Sequence, residues 1–427
     1  MDNRALSRGS EILKEKLVKM RNIQITELKN GLRVISERVP QVESVALGIW
    51  IIGGMGIEPD RVLGISHYIE HMLFKGTRRR SARQISEEMD SVGGHLNGYT
   101  DRENTCLYAN LLGEHLPLAV DLILDMALDS RFDPKDIEME REVIIQESRR
   151  LEDNPEEYVH DLAVETAWRG HPLGRSIHGN EKTIRAISRA DLLRHFRTSY
   201  KPDRMLVAAA GAVAHDRLVK LIAKSTGGMK PGRPQHEQSP PAFHSGERRL
   251  RRSSEQVNVC LTLLGCSHTD EDRYALSLCD TILGGCTSSR LFQEIRENRG
   301  LAYSIGSYSH GVRNGGLFLI HAGTGPRNLK QVLDLTRREL ARFRKGGATE
   351  GELVWAKSHV RGSLALARES TSFRMQRLAH AMLYEGKVIS YRALQQRFDR
   401  VTVEDTQRVA ERFFSVEPAL IVMGPVK

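Results

Sequence analysis

An α+β fold built twice is what this sequence of 427 residues predicts. Two stretches each open on strand-like apolar runs and pass into amphipathic helices, and a Pro/Gly-rich break separates them. The length also exceeds one ordinary core of roughly 100–200 residues. Each half is expected to form a mostly antiparallel sheet packed with helices, the two halves being homologous and joined by a linker.

The elements follow in order. Ile23 to Leu28, Leu32 to Val39 and Val45 to Ile52 read as strands, with Asn30-Gly31 as a two-residue hairpin turn. Asp133 offers a helix N-cap, Pro134 suits the first helical position, and Asp136 and Glu138 suit the positive end of the dipole. A helix from Pro134 to about Leu151 is therefore predicted, ending near Asp153-Asn154-Pro155. Ser188-x-x-Asp191 and Thr349-x-x-Glu352 have the form of capping boxes and mark further helix starts.

The break lies between Thr226 and Gln256, where Gly227, Gly228, Pro231, Gly232, Pro240 and Pro241 precede a basic stretch, Arg248 to Arg252. Such a segment sustains neither a helix nor a central strand. The expected division is an N-terminal domain over 1–225, a linker over 226–256 and a C-terminal domain over 257–427. The second half repeats the first faintly: the apolar run Val257 to Leu264, a helix from Asp272 to Leu283, then Gly284-Gly285. That helix carries Ser277, Leu278, Cys279 and Asp280, with no metal-binding pattern.

Composition excludes several classes. A hydrophobic fraction of 40% and a charged fraction of 27% are those of a globular chain. No apolar run reaches the 18 or so residues of a membrane helix. Met1 to Met20 lacks a continuous apolar core and a small-residue cleavage site, so cytoplasmic residence is expected. The five cysteines form no Cys-x-x-Cys pair and are expected to be reduced thiols. The net charge of +9 is spread among 54 acidic residues without a nucleic-acid module, so no nucleic-acid partner is expected.

Chemistry concentrates in Gly64 to Phe74, which contains His67-Tyr68-Ile69-Glu70-His71. On a helix His67 and His71 stand one turn apart on one face, the spacing two imidazoles need to meet one tetrahedral ion. Glu70, about 100° before His71, borders that face and can reach a water on the ion. A third ligand is required, and Glu140, Glu142 and Glu147 on the helix from Pro134 all qualify; Glu140 and Glu147 share a face, about 20° apart. The apolar positions Met139, Val143 and Ile144 imply that this face is partly buried.

His-x-x-Glu-His followed about 75 residues on by Glu140-Arg141-Glu142-Val143-Ile144-Ile145-Gln146-Glu147 resembles the inverzincin metallopeptidases of the pitrilysin, insulysin and mitochondrial-processing-peptidase family. The resemblance implies that Glu147 is the third ligand of one Zn²⁺ per chain, that Glu140 supports the site, and that Glu70 is the general base. Gly93 to Thr100 is similar to the family's active-site edge strand, which takes an extended substrate by strand addition. Gly94, Leu96, Asn97, Gly98 and Thr100 are the implied contacts, with Gly98 standing where the family commonly has Ala. Leu283 to Phe292 followed by Arg296 and Tyr303 is similar to the C-terminal domain, whose Arg and Tyr complete the active site across a cleft. The likeness runs from about Ile23 to Met423 and, with the chain length, implies a short two-domain zinc endopeptidase. The implied assembly is a clam-shell dimer that admits peptides or unfolded and precursor segments. It would be a homodimer or a heterodimer with an inactive paralogue.

Overall fold

The computed structural model describes residues 22–232 and 239–426, together with the backbone of Leu13–Lys14. Met1 to Met20, read above as non-secretory, otherwise lies outside the described residues, as do 233–238 of the expected linker. The chain divides into two compact units. The first gathers Met1–Ser148, Ile177–Glu237 and Leu366–Val388, and the second Arg149–Ser176, Gln238–Ala365 and Ile389–Lys427.

The first unit holds strands β1 (Leu13–Lys14), β2 (Ile23–Leu28), β3 (Arg33–Arg38), β4 (Ser44–Ile52), β5 (His95–Thr100), β6 (Asn104–Leu112) and β7 (Met205–Gly211). They form one sheet in the order β1-β2-β3-β7-β4-β6-β5. The second unit holds β8 (Gly246–Arg251), β9 (Val257–Leu264), β10 (Ala302–Val312), β11 (Gly315–Thr324) and β12 (Ala419–Gly424), in the order β10-β11-β9-β12-β8. Among the described residues only β3 with β7 and β8 with β12 run parallel, so both sheets are mostly antiparallel.

The duplication is visible in this pairing. Five strands of the first sheet, taken in chain order as β3 to β7, lie in the order β3-β7-β4-β6-β5, and the five of the second, β8 to β12, lie as β8-β12-β9-β11-β10. Strand for strand the two orders coincide, including the single parallel pair.

Alternation along the strands gives each sheet two buried faces. In the first, Leu47, Ile49 and Leu107 face a large core with Ile69, Met72, Ile123 and Ile144. Trp50, Cys106 and Leu206 face the other way, against Met375, Leu378 and Met382. In the second, Val259, Leu261 and Phe318 face Leu278 and Phe343, while Cys260, Leu319 and Ile421 face Val159, Leu162 and Trp168.

Those outer covers come from unexpected places. The helix Pro155–Ala167 follows the helix Pro134–Glu152 in the chain yet packs on β9 and β12 of the second unit. The helix Thr371–His380 follows the helix Glu350–Ala367 and packs on β3, β4 and β7 of the first. The two covers occupy corresponding places in the duplicated order, so each half of the sequence supplies the outer cover of the other half's sheet. The units therefore differ from the contiguous segments 1–225 and 257–427: 149–176 join the second and 366–388 the first. The expected linker also contains β8, which pairs only with β12 at a sheet edge, the place where a Pro/Gly-flanked strand is tolerated.

Local signals otherwise acted where they stood. Asp133 accepts a hydrogen bond from Lys135 N at 3.0 Å at the start of the Pro134–Glu152 helix. The Ser188/Asp191 box is formed in both directions, and Thr349 and Glu352 bond reciprocally. The β2–β3 loop is one residue longer than expected, because Leu28 N bonds Leu32 O at 2.8 Å and encloses 29–31. Gly31 closes it at φ 89°, a conformation that a β-carbon disfavours. All five cysteines are free, and four are buried. Among the described residues no helix is long and apolar enough to cross a membrane.

The helix Arg273–Leu283 occupies in the second unit the place that Ile65–Leu73 occupies in the first. Burial pushes its Asp280 carboxyl up to about 6, and Ser307 Oγ, donating at 2.5 Å, offsets only part of this. A carboxyl with a raised folded-state pKa binds more protons folded than unfolded, so stability falls as pH rises from about 4 through 6. Asp280→Asn, whose amide oxygen still accepts from Ser307, should leave stability at pH 4 unchanged and raise it at pH 8 by on the order of 2 kcal/mol. Urea titrations at the two pH values check this; an equal change at both would contradict it.

Candidate metal centre

The helix Ile65–Leu73 begins on Gly64, which is left-handed at φ 88° and has no capping side chain of its own. Glu58 supplies the cap from outside, accepting from Gly64 N at 2.6 Å and Ser66 N at 2.8 Å, a carboxylate at the positive end of the helix. Ile65, Tyr68, Ile69, Met72 and Leu73 are buried, and Tyr68 Oη donates to Ile137 O of the helix Pro134–Glu152. Locking these apolar faces together turns His67, Glu70 and His71 towards the carboxylates of the longer helix.

His67 Nε2 lies 3.3 Å from His71 Nε2. Glu147 Oε2 lies 3.3 Å from His71 Nε2 and 3.8 Å from His67 Nε2. Among the described residues these three form the one group of this type whose ligand atoms converge. Tetrahedral bonds of about 2.0–2.1 Å require ligand atoms about 3.3–3.4 Å apart. Two of the edges meet that requirement, and the third closes by a small rotation of Glu147, the most exposed of the three. Two imidazole nitrogens and one carboxylate oxygen are a donor set suited to Zn²⁺ with a fourth position open. The residues present therefore fit the ion.

Electrostatics agree with the geometry. Burial, assisted by His71 and His178, pulls the His67 pKa down to about 3, which keeps its ring neutral. Burial also lowers that of His71, but hydrogen bonds to Glu147 and Glu140 outweigh it and the net shift is upward. The Glu147 carboxyl is held below the usual range, first by its hydrogen bond with His71. Burial raises the Glu70 carboxyl, against the opposing hydrogen bond from Thr100. Glu70 Oε2 is buried without a partner in the described structure, which leaves it able to accept a proton.

Glu140 stands behind His71. Its Oε2 is 3.0 Å from His71 Nδ1 and its Oε1 is 2.6 Å from Lys75 Nζ. A carboxylate paired with a lysine only accepts, so Nδ1 is the protonated nitrogen and the lone pair of Nε2 is left available to a metal ion. Glu140 and Glu147 share a helix face, as their spacing requires, and depth separates them: Glu140 is 5% exposed, whereas the Glu147 side chain is 42% exposed. Met139 and Val143, expected to help bury that face, are instead 50% and 42% exposed; the buried apolar positions are Ile137, Ile144 and Ile145.

β5 is the outermost strand of its sheet and pairs only with β6. Leu96, Asn97, Gly98 and Thr100 lie on it, with Gly94 just before, and Asn97 Oδ1 accepts from Gly98 N at 2.8 Å. A β-carbon at Gly98 would stand 3.2 Å from Phe74 and 3.1 Å from Leu107, so alanine there is tight but close to ordinary contact. Arg296 and Tyr303 belong to the second unit. Arg296 lies in the π-helical segment Phe292–Glu297, its guanidinium 4.9 Å from the Phe292 ring centre, and Tyr303 is 63% exposed on β10, the edge strand corresponding to β5.

Two side chains at the centre escaped the sequence reading. Lys75 sits one turn beyond His71, and its spacing gave no sign of Glu140 as partner. His178 packs edge-on against His67 with ring centres 4.8 Å apart. It arrives on a turn whose Gly179, at φ 68°, lies too close to Leu63 O for any β-carbon.

Residues 33–181 match the model of the insulinase family, peptidase family M16, and residues 186–359 match the peptidase M16 inactive domain. The chain belongs to peptidase family M16. An uncharacterized zinc protease of Streptomyces coelicolor is 38% identical over 95% of this chain and 90% of its own length. The uncharacterized zinc protease YmxG of Bacillus subtilis is 35% identical over 93% of this chain and 97% of its own. A protease from Helicobacter pylori shares the fold with a TM-score of 0.86 at 21% identity, over 97% of this chain and 100% of that one.

Proposed function

We propose that this chain is a zinc endopeptidase that cleaves peptides and unfolded or precursor segments, with His67, His71 and Glu147 holding one Zn²⁺. The observation that carries the reading is the convergence of three ligand atoms, two of their three separations at tetrahedral spacing, beside a buried carboxylate whose Oε2 has no partner among the described residues. The relatives named zinc proteases support the choice of ion.

A zinc ion held there supplies a Lewis acid and lowers the pKa of a bound water to about 7. Glu70 takes the proton of the attacking water, its raised pKa bringing it nearer the operating pH, and then returns the proton to the leaving amine. Amide and water become carboxylate and amine, with no other reactant. Glu140 fixes the tautomer of His71. β5 offers its free edge to an extended backbone, so that Leu96, Asn97, Gly98 and Thr100 align the scissile bond, with Gly94 at the entrance. Arg296 and Tyr303 donate to the substrate carbonyl as negative charge develops on it. The working assembly is a clam-shell homodimer in the cytoplasm, whose cleft excludes folded proteins.

Zinc-loaded protein should cleave a quenched, unstructured peptide and leave a folded protein intact, with a chelator abolishing cleavage and added zinc restoring it. Elution as a dimer in size-exclusion chromatography accompanies that result. A zinc-loaded homodimer that leaves a library of such peptides uncut overturns the reading, and cleavage regained only on adding a second, paralogous chain replaces the homodimer with a heterodimer.

A further inference from the structure

The turn that joins β5 to β6 is closed on itself and then held by two other parts of the first unit. Asp101 Oδ1 accepts from Glu103 N at 2.7 Å and from Asn104 N at 2.6 Å, which closes it. The segment 53–56, which follows β4, bonds the turn through its backbone: Gly53 N donates to Glu103 O at 2.7 Å and Gly56 N to Arg102 O at 2.8 Å. Gly54 comes so near that a β-carbon would stand 2.6 Å from Asn104 N, closer than any side chain allows. The same segment reaches the ligand-bearing helix, where Ser66 Oγ donates to Gly54 O at 3.0 Å.

The second hold comes from 280 positions further along the chain. Asn104 Nδ2 donates to Tyr384 Oη at 3.2 Å, and the same hydroxyl hydrogen-bonds the Glu103 carboxylate. Tyr384 lies in the π-helical segment Ala381–Glu385, which continues the cover helix Thr371–His380. Such turns are rare and concentrate at functional sites. The Tyr384 ring packs, partly buried, against the apolar cluster that contains Trp50 and Leu206, so the hydroxyl is delivered by a side chain with little freedom. What it steadies is an edge strand of six residues, paired on one side only, whose last residue, Thr100, hydrogen-bonds Glu70. A short strand with one neighbour opens locally unless its turn is fixed.

We propose that Tyr384 is a positioning residue for substrate, its hydroxyl locking the β5–β6 turn so that the free edge of β5 is ordered before a peptide arrives. The inference rests on the reading of β5 as the peptide-binding edge. Without the lock, ordering the strand is a cost taken from the binding energy of the peptide. Once a peptide has paired, β5 is ordered again and Thr100 is back beside Glu70, so the chemical step proceeds as before. The loss therefore falls on KM and spares kcat.

Tyr384→Phe, made in the zinc-loaded full-length chain, keeps the ring and removes the hydroxyl. KM for a quenched, unstructured peptide should rise about three- to tenfold, the worth of one or two hydrogen bonds, with kcat within about twofold and zinc affinity unchanged. Hydrogen exchange read by mass spectrometry should quicken in peptides spanning 95–104 and stay as in wild type across β4 and β7. A hydroxyl that served stability alone would instead lower the melting temperature, quicken exchange throughout the first unit and leave KM in place. KM within twofold of wild type, exchange over 95–104 unchanged, or exchange quickened equally everywhere overturns the proposal. A wild-type chain that cleaves no peptide sinks the peptidase reading and the role in substrate binding with it, whereas cleavage with an unmoved KM sinks the role of Tyr384 alone.

Discussion

Glu70→Gln is expected to keep its full complement of zinc and to lose peptide hydrolysis, with kcat falling by about 10³-fold or more. The amide has the shape of the carboxylate but cannot accept a proton, and general-base contributions run to about 10²–10⁴. Metal should be unaffected because Glu70 is absent from the converging ligand group. A purely structural role would predict a different outcome: burial of the unpartnered Oε2 costs stability, so removing its charge would raise the melting temperature while sparing turnover. Zinc content by atomic absorption, melting temperature and kcat on a quenched peptide, measured together, separate the two. Turnover within a few-fold of wild type would refute the assignment of Glu70 as base.

Glu147→Gln should act on the ion instead. The substitution keeps volume and an oxygen donor but removes the one negative charge among the three ligands, and outer-shell losses alone cost about 10–100-fold in metal affinity. Loss of a ligand's charge should exceed that range, so competition against a chromophoric chelator should show zinc bound at least about 100-fold more weakly. Activity should return in part when zinc is supplied in excess, as it cannot for Glu70→Gln. Unchanged zinc affinity would move the third ligand to another acid.

What the sequence disclosed and what it withheld divide by range. Strand runs, the Asp133 cap, the Ser188 box and the one-turn separation of His67 and His71 are set by residues a few positions apart, and the structure contains each of them. The duplication was legible only as an apolar run followed by a helix in each half, whereas the shared order of the strands depends on long-range pairing that no local pattern shows. Spacing alone did not choose between Glu140 and Glu147, since it places both on one helix face; the resemblance selected Glu147, and in the structure depth, set by contact with another helix, separates the two. Lys75 and His178 depend on partners 65 and 111 positions away, at Glu140 and His67, and no spacing rule reaches that far. The exposure of Met139 and Val143 has the same origin: an apolar residue on a helix announces a preference, while the neighbouring chain decides whether anything covers it.

The reciprocal exchange of the helices Pro155–Ala167 and Thr371–His380 bears on how the molecule is made. As the chain emerges during synthesis, the sheet that neighbours the ligand-bearing helix completes its last strand, β7, at Gly211, yet one side of it stays bare until residues near 380 have been made. Trp50, Leu206 and their neighbours lack that cover while the stretch from Gly211 to His380 is made, about two fifths of the chain, so that the nascent first half is not yet a finished domain. Cutting the gene at the Pro/Gly-rich break gives two fragments that each carry the other's missing layer, and neither is a unit of folding.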